Sequence, residues 1–345
     1  MNIGILFGGR SAEHEVSCLS AYSIYQNIDR ERFTPILIGI TKNGEFKYYD
    51  DRIDHLLDAT WEFYSSSVPV DIIGLKGGPS ILFDEPLNID CIFPVLHGPF
   101  GEDGRIQGVL EYAGIPYVGC GVLSSALCMD KVLTKDLLKL NGIPQTRYVL
   151  YERGELLEDL QQKISSFAYP LFVKPSNLGS SVGISKVNRA QELGDALDIA
   201  LQYDRRVIIE EGVDAREIEV AVLRSTEEMI ISAPGELIIQ DGFYDYETKY
   251  KKNTTTWKIP ADLRQETTDM IRSLAKKVFA LLGCKGLARV DFFVEKNTGK
   301  VLLNEVNTMP GFTEISMYPK LIMNEGIDYK TLISRSIDLA MEEYE

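Results

Sequence analysis

Asp291, Glu305 and Asn307 lie in two apolar segments joined by Asn297-Thr298-Gly299. Residues 289–294 and 301–306 read as adjacent antiparallel strands. Side chains alternate along a strand, so Glu305 and Asn307 share a face. With residue 295 opposite 301, the connecting loop is 296–300, within the usual hairpin range, and Asp291 falls opposite Glu305. Two carboxylates and an amide oxygen on one surface are donors suited to Mg²⁺. A solvated hairpin face carries such residues too. Asp291, however, is surrounded in sequence by Leu287, Val290, Phe292 and Phe293, where an unpaired carboxylate is costly and a cation removes the cost. Arg289 shares the face of Asp291. It suits a carboxylate, phosphate or oxyanion, or a plain ion pair with Glu305.

A second stretch suits phosphate. Lys174-Pro175 ends an apolar strand, and Ser176-Asn177-Leu178-Gly179-Ser180-Ser181-Val182-Gly183 follows. Small residues let backbone N–H groups close on phosphate oxygens, and the lysine adds fixed charge. No helix follows, so this is not the Walker arrangement; a simple hairpin turn is the competing reading. Glu210 and Glu217 flank a charged turn after Val207-Ile208-Ile209 and could accept hydrogen bonds from an adenine and a ribose, or merely face water. At the N-terminus, Glu13 follows a short strand and Gly8-Gly9, and His97-Gly98 ends another strand. Ligands of doubly wound sheets bind at the carboxyl ends of strands, and a carboxylate with an imidazole there suits an ammonium-bearing substrate.

The elements needed to position these groups follow from hydrophobic periodicity. Strands at 2–7, 34–41 and 91–96 alternate with helices at about 15–28 and from 105 to 112, the latter stopped by Gly114. That alternation predicts an α/β, parallel, doubly wound sheet over residues 1–122. One long amphipathic helix is expected over 123–141. An α+β region follows, with strands at 147–151, 171–175, 183–187 and 206–211 and a helix at 190–203. The last part, 213–345, carries strands at 217–223, 229–232, 287–294 and 301–306, helices at 264–282 and 328–343, and an exposed loop at 247–256. The domain division expected is 1–122, 123–212 and 213–345.

Composition narrows the class. The 345 residues are 45% hydrophobic and 25% charged, with a formal net charge of −15. That charge argues against nucleic acid or an anionic membrane as partner, and no apolar run approaches the ~18 residues of a membrane span. The first residues, Met1-Asn2-Ile3-Gly4-Ile5, read as a strand and not as a signal peptide. Cys18, Cys91, Cys120, Cys128 and Cys284 form no CxxC pair, and there are three histidines. Buried free thiols in a reducing cytoplasm are expected, and a zinc site is not.

Several segments together resemble the D-alanine–D-alanine ligases of the ATP-grasp superfamily: GGRSAEHEVS (8–17), LHGPFGEDGRIQG (96–108), SALCMDK (125–131), VKPSNLGSSVGISKV (173–187), FYDYETKY (243–250), LARVDFF (287–293) and NEVNTMPGFTEISMYP (304–319). The resemblance covers nearly the whole chain, in order. It implies an ATP-grasp fold with an N-terminal Rossmann-like domain. It also implies ligation of two D-alanines through an acyl phosphate, with ATP and two Mg²⁺ ions (Mn²⁺ as a substitute), for peptidoglycan synthesis in the cytoplasm. A homodimer is expected.

Residue roles follow from the same resemblance. Lys131 and Lys174 would hold ATP phosphates, and Lys249 the transferred phosphate. Glu210 would meet the adenine and Glu217 the ribose, with Phe243 and Phe293 lining the adenine pocket. Asp291, Glu305 and Asn307 would bind Mg²⁺. Glu13 and His97 would position the first D-alanine, and Arg289 with the Gly311 backbone would stabilise the tetrahedral oxyanion. Ser316 and Met317 would face the second D-alanine. Tyr250 and Ser180 would link the 243–250 loop to Glu13. Ligases that use D-lactate carry a histidine in this loop; here it has Tyr244, Tyr246 and Tyr250 and no histidine. D-alanine–D-serine ligases keep the tyrosines and differ near the second-substrate pocket, where Met317 is of the D-alanine type. An inactive ATP-binding regulator and a dehydrogenase are the readings from other classes. Every catalytic position is filled, which opposes the first, and no dinucleotide fingerprint supports the second.

Overall fold

The computed structural model describes residues 1–64, 68–70, 72, 88–179, 182–224, 228–239 and 255–344. Three sheets organise them. The first has the order β4-β3-β2-β1-β5, from β1 (Asn2–Gly8), β2 (Thr34–Ile40), β3 (Phe46–Tyr49), β4 (Val68–Pro69) and β5 (Cys91–Pro94). Its centre is parallel, β2-β1-β5, while β3 and β4 add an antiparallel edge that the sequence pattern did not indicate. Ile3, Ile5, Leu6 and Phe7 of β1 are all fully buried, as a central parallel strand covered on both faces requires. Helix α1 (His14–Asn27) covers one face and α2 (Arg105–Ala113) the other, where Ile106 and Leu110 join Leu6, Ile38 and Ile92. Gly114 ends α2 at φ 66°, a left-handed cap that glycine adopts without a Cβ penalty.

The single helix expected over 123–141 is two: α3 (Val122–Met129) and α4 (Lys131–Leu140). Asp130 causes the break. At φ −81°, ψ 98° it leaves the helical region, and its carboxylate accepts from the backbone N–H groups of Val132 and Leu133, capping α4. The same carboxylate accepts from Arg206 Nη1 at 2.5 Å, Ser176 Oγ at 2.9 Å and Asn177 Nδ2 at 3.3 Å. Asp130 thus pins the start of α4 to the segment after Lys174. Burial works against its ionisation, but the Leu133 N–H, Ser176 and Arg206 hold the carboxyl below its ordinary value. Asp130→Ala should lower stability by at least ~2 kcal/mol, from the lost cap and charge-assisted bonds. A thermal scan unchanged from the parent would refute this.

The second sheet, β6-β9-β7-β8, is antiparallel, built from β6 (Tyr148–Glu152), β7 (Leu171–Pro175), β8 (Ser185–Val187) and β9 (Arg206–Glu211). Helices α5 (Leu157–Lys163) and α6 (Leu193–Ala200) bury Leu160, Leu193, Leu197 and Ala200 against Leu171, Val173, Val207 and Ile209. The third sheet runs β13-β12-β10-β14-β15, with β11 also on β10. Its strands are β10 (Ala215–Arg224), β11 (Met229–Ile231), β12 (Gly235–Ile239), β13 (Thr255–Lys258), β14 (Leu287–Glu295) and β15 (Val301–Asn307). Helix α7 (Gln265–Leu281) lays Ile271, Ala275, Val278 and Phe279 on it.

The last two helices, α8 (Met317–Asn324) and α9 (Tyr329–Glu342), do not form a core of their own. Phe312, Tyr318, Leu321, Leu332 and Ile333 join Ile3, Ile5, Phe7 and Ile24 in one buried cluster. Ion pairs Arg32–Asp338 (2.6 Å) and Lys330–Asp29 (2.9 Å) flank it. The end of the chain therefore fastens the third sheet to the first.

Candidate active site

The register of β14 on β15 brings the acidic residues together. Asp291 lies opposite Glu305 and Arg289 opposite Asn307. The expected pairing of 295 with 301 is not observed; Val294 pairs Val301, and a bulge between Asp291 and Phe292 shifts the register. The hairpin end is one residue tighter than expected and the bulge restores the offset, so Asp291 and Glu305 face each other. On the other side Asp291 pairs with Glu219 of β10, and Glu217 with Phe293.

Arg289 is held here by two carboxylates. Its Nε and Nη2 donate to Asp291 Oδ1 and Oδ2 at 2.8 and 2.7 Å, and Nε also lies 2.9 Å from Glu219 Oε2. Burial disfavours its charge, yet Asp291 and Glu219 keep the guanidinium well above its ordinary pKa. Asp291 and Glu219 are its close partners, and the charge of Glu305, the ion pair considered from the sequence, also favours the guanidinium. Nearby, the Glu217 carboxyl is pushed up to about 7, first by burial and then by the charges of Asp291 and Glu305. Glu217, Glu219, Asp291 and Glu305 gather more negative charge than Arg289 cancels, so the donor set fits a divalent cation between Asp291 and Glu305. Among the described residues no three His, Cys, Asp or Glu side chains already converge on one point; Asp291, Glu305 and Asn307 would share a cation with phosphate oxygens and water.

The lysines form a separate cluster. Lys174 Nζ donates to Glu210 Oε2 at 2.5 Å, and Lys135 Nζ lies 2.9 Å from Glu210 Oε1. Burial opposes the Glu210 charge, but Lys135 and Lys174 hold its carboxyl down at about 2. Lys131 Nζ donates to the Leu178 carbonyl at 2.5 Å, and burial lowers its pKa.

At the N-terminal sheet, α1 is tied down at its start. Ser17 Oγ donates to Val95 O at 2.5 Å and accepts from Gly8 N–H at 2.7 Å. Glu13 is thereby held at the carboxyl end of β1, 5% exposed. Gly98 passes close by at φ +73°, where a Cβ would lie 3.1 Å from Glu13 Oε2; a side chain would crowd the carboxylate. His97 Nε2 is 3.3 Å from Ser20 Oγ. Ser20 donates to Val16 O, and His97 Nδ1 lies toward Glu102 Oε1 at 3.8 Å. On the opposite wall, Ser316 precedes α8, and its Oγ bonds Thr313 Oγ1 at 2.7 Å beside Gly311.

One cavity of about 620 Å³ connects these clusters. Glu13, His97, Lys131, Lys174, Glu210, Glu217, Arg289, Asp291, Phe293, Glu305, Asn307, Gly311, Ser316 and Met317 all line it. Ser180, Phe243, Lys249 and Tyr250 lie outside the described residues. Sequence reasoning missed Phe172, Leu237 and Trp257, apolar lining that only the fold assembles, and also Glu102 and Glu219. It missed Lys135 as well, although Lys131 and Lys135, four residues apart on a helix, share a face. Cys120 and Cys284 are buried free thiols, whereas Cys128 is only partly buried and reaches the cavity.

The chain matches the family model of the D-ala D-ala ligase N-terminus over residues 2–120 and of its C-terminus over 137–338. It is 49% identical to the D-alanine--D-alanine ligase of Acetivibrio thermocellus, covering 99% of this chain and 96% of that protein. Among solved structures it resembles the VanG D-Ala:D-Ser ligase of Enterococcus faecalis, with TM-score 0.87, 38% identity and coverage of 98% and 99% of the two chains. It likewise resembles the D-alanine-D-alanine ligase of Coxiella burnetii, with TM-score 0.86, 35% identity and coverage of 100% and 96%.

Proposed function

The chain belongs to the D-alanine–D-alanine ligase family, and we propose from that premise how its cavity joins two D-alanines. The fold is ATP-grasp, and the protein is a carbon–nitrogen ligase that uses ATP to make D-alanyl-D-alanine for peptidoglycan. The carboxylate of the first D-alanine takes the γ-phosphoryl group of ATP. The amine of the second attacks the acyl phosphate, and the tetrahedral intermediate expels phosphate. The observation that carries this reading is the single cavity in which a lysine cluster, an acidic cluster around Arg289, and Glu13 with His97 face one another.

Lys131 and Lys174 grip the ATP phosphates; Phe293 lines the adenine pocket with Phe243, while Glu210 and Glu217 meet adenine and ribose. Asp291, Glu305 and Asn307 would hold two Mg²⁺ ions, which would supply neutralisation of phosphate charge. Glu13 takes the ammonium of the first D-alanine, oriented by His97. Arg289 and the Gly311 N–H stabilise the oxyanion, and Ser316 and Met317 face the second D-alanine. Positioning and charge stabilisation are what such phosphoryl transfers require of a protein. The enzyme works in the cytoplasm, where ATP is supplied, as a homodimer. No helix among the described residues is long and apolar enough to cross a membrane.

D-Serine as second substrate is the competing reading, favoured by the likeness to the VanG ligase. Incubation with ATP, Mg²⁺ and D-alanine, alone or with D-serine or D-lactate, separates the two by product mass. D-Alanyl-D-alanine should dominate even in equimolar D-serine; a dominant mixed dipeptide would overturn the assignment.

Closure of the cavity must keep water from the acyl phosphate. Lys249 and Tyr250 are proposed to close it, Lys249 on the transferred phosphate and the Tyr250 hydroxyl linking Ser180 and Glu13. A hydrogen bond to a charged group contributes roughly 1.5–3 kcal/mol. Tyr250→Phe should therefore raise KM for the first D-alanine and raise the ratio of phosphate released to dipeptide formed. An unchanged ratio with unchanged KM would remove Tyr250 from the closing network.

A further inference from the structure

Lys135 sits behind Glu210 and Thr146, two residues of the cavity wall, and reaches no substrate in the proposed function. It is 3% exposed. Its ammonium lies 2.9 Å from Glu210 Oε1 and donates to Thr146 Oγ1 at 2.9 Å, with the Tyr148 ring 5.4 Å away. Its own carbonyl is tied to Gln145 Nε2 at 2.7 Å. The neighbouring residues thus fix both its backbone and its head group. Lys174, by contrast, lines the cavity and is bonded to the other oxygen of the same carboxylate.

We propose that Lys135 is a positioning residue: by holding Glu210 it leaves Lys174 able to exchange that carboxylate for a phosphate of ATP. Without Lys135, Glu210 would be a buried carboxylate whose remaining close ion pair, among the described residues, is with Lys174. Pulling Lys174 away would then strand a charge, which is strongly unfavourable. With Lys135 and Thr146 in place, Glu210 keeps a cation when Lys174 moves, and the lysine pair carries one net positive charge for the triphosphate. The inference rests on the reading of Lys174 as a phosphate ligand.

The test measures binding of ATP and of adenosine, which lacks phosphate. Lys135→Met should weaken ATP about 10- to 100-fold, the equivalent of one charge-assisted hydrogen bond, and weaken adenosine, which meets Glu210 but carries no phosphate, distinctly less. Equal losses for both ligands, or no loss for ATP, would overturn the inference. A background of Glu210→Gln removes the charge that Lys135 is proposed to neutralise. Lys135→Met added to Glu210→Gln should therefore cost no further ATP affinity, and a further tenfold loss would overturn the inference. This comparison stands even if Lys135→Met alone does not fold, because the double variant buries no uncompensated carboxylate. Lys174→Met is the control: if it weakens adenosine as much as ATP, the assignment of Lys174 to phosphate fails, which is a result distinct from failure of the Lys135 proposal.

Discussion

Glu305→Gln is expected to fold normally and lose about 10³-fold in turnover at ordinary Mg²⁺, the rate equivalent of roughly 4 kcal/mol. Glu305 and Asp291 face each other across β14 and β15, and each supplies one of the negative charges that would hold a divalent cation against a triphosphate. Asp291→Asn should be at least as damaging, but it is less clean to interpret. Asp291 also receives two hydrogen bonds from Arg289, so the change weakens one of the two carboxylate holds on the guanidinium as well as the metal site. Glu305→Gln isolates the metal contribution. Raising Mn²⁺ or Mg²⁺ should restore part of its activity. Near-parental turnover of either variant at ordinary Mg²⁺ would refute the metal assignment.

Arg289→Lys tests the other half of that cluster. Lysine keeps the charge and loses the planar fork, and loss of one oxyanion donor typically costs about 10²–10³ in rate. A fall in kcat of that size is expected, with ATP affinity nearly unchanged. The structure makes the distinction sharp, because Arg289 already has two carboxylate partners, Asp291 and Glu219. A merely structural Arg289 would alter thermal stability and leave kcat alone, and that outcome would return the residue to an ion-pair role.

Much of the site was legible because its residues sit at strand ends or on strand faces, where period-2 alternation fixes direction. Asp291 with Glu305 is instructive. The pairing was reached from a hairpin one residue too long, and a bulge that no local pattern signals supplied the compensation. The expected helix over 123–141 failed for a different reason. Its apolar spacing continues through Asp130, but a residue that can cap ended one helix and began the next. Asp130 was readable as a cap only once Arg206 and Ser176, distant in sequence, were seen to share its carboxylate. The docking of α8 and α9 on the first sheet depends on contacts far apart in sequence. Lys135 was missed because a lysine on an amphipathic helix ordinarily faces water; its burial follows from Glu210, some 75 positions away in sequence, a gap no helical periodicity bridges.

In the proposed reaction ATP activates the carboxylate of one D-alanine for attack by the amine of another. That activation is tested most directly with D-alanine carrying ¹⁸O in its carboxylate. When the purified protein makes dipeptide with ATP and Mg²⁺, the bond from carboxyl oxygen to phosphorus forms first and the carbon–oxygen bond breaks on amine attack. Inorganic phosphate should therefore carry one ¹⁸O for each D-alanyl-D-alanine formed, with ADP unlabelled. Unlabelled phosphate, or label appearing in a nucleotide, would contradict the acyl-phosphate route.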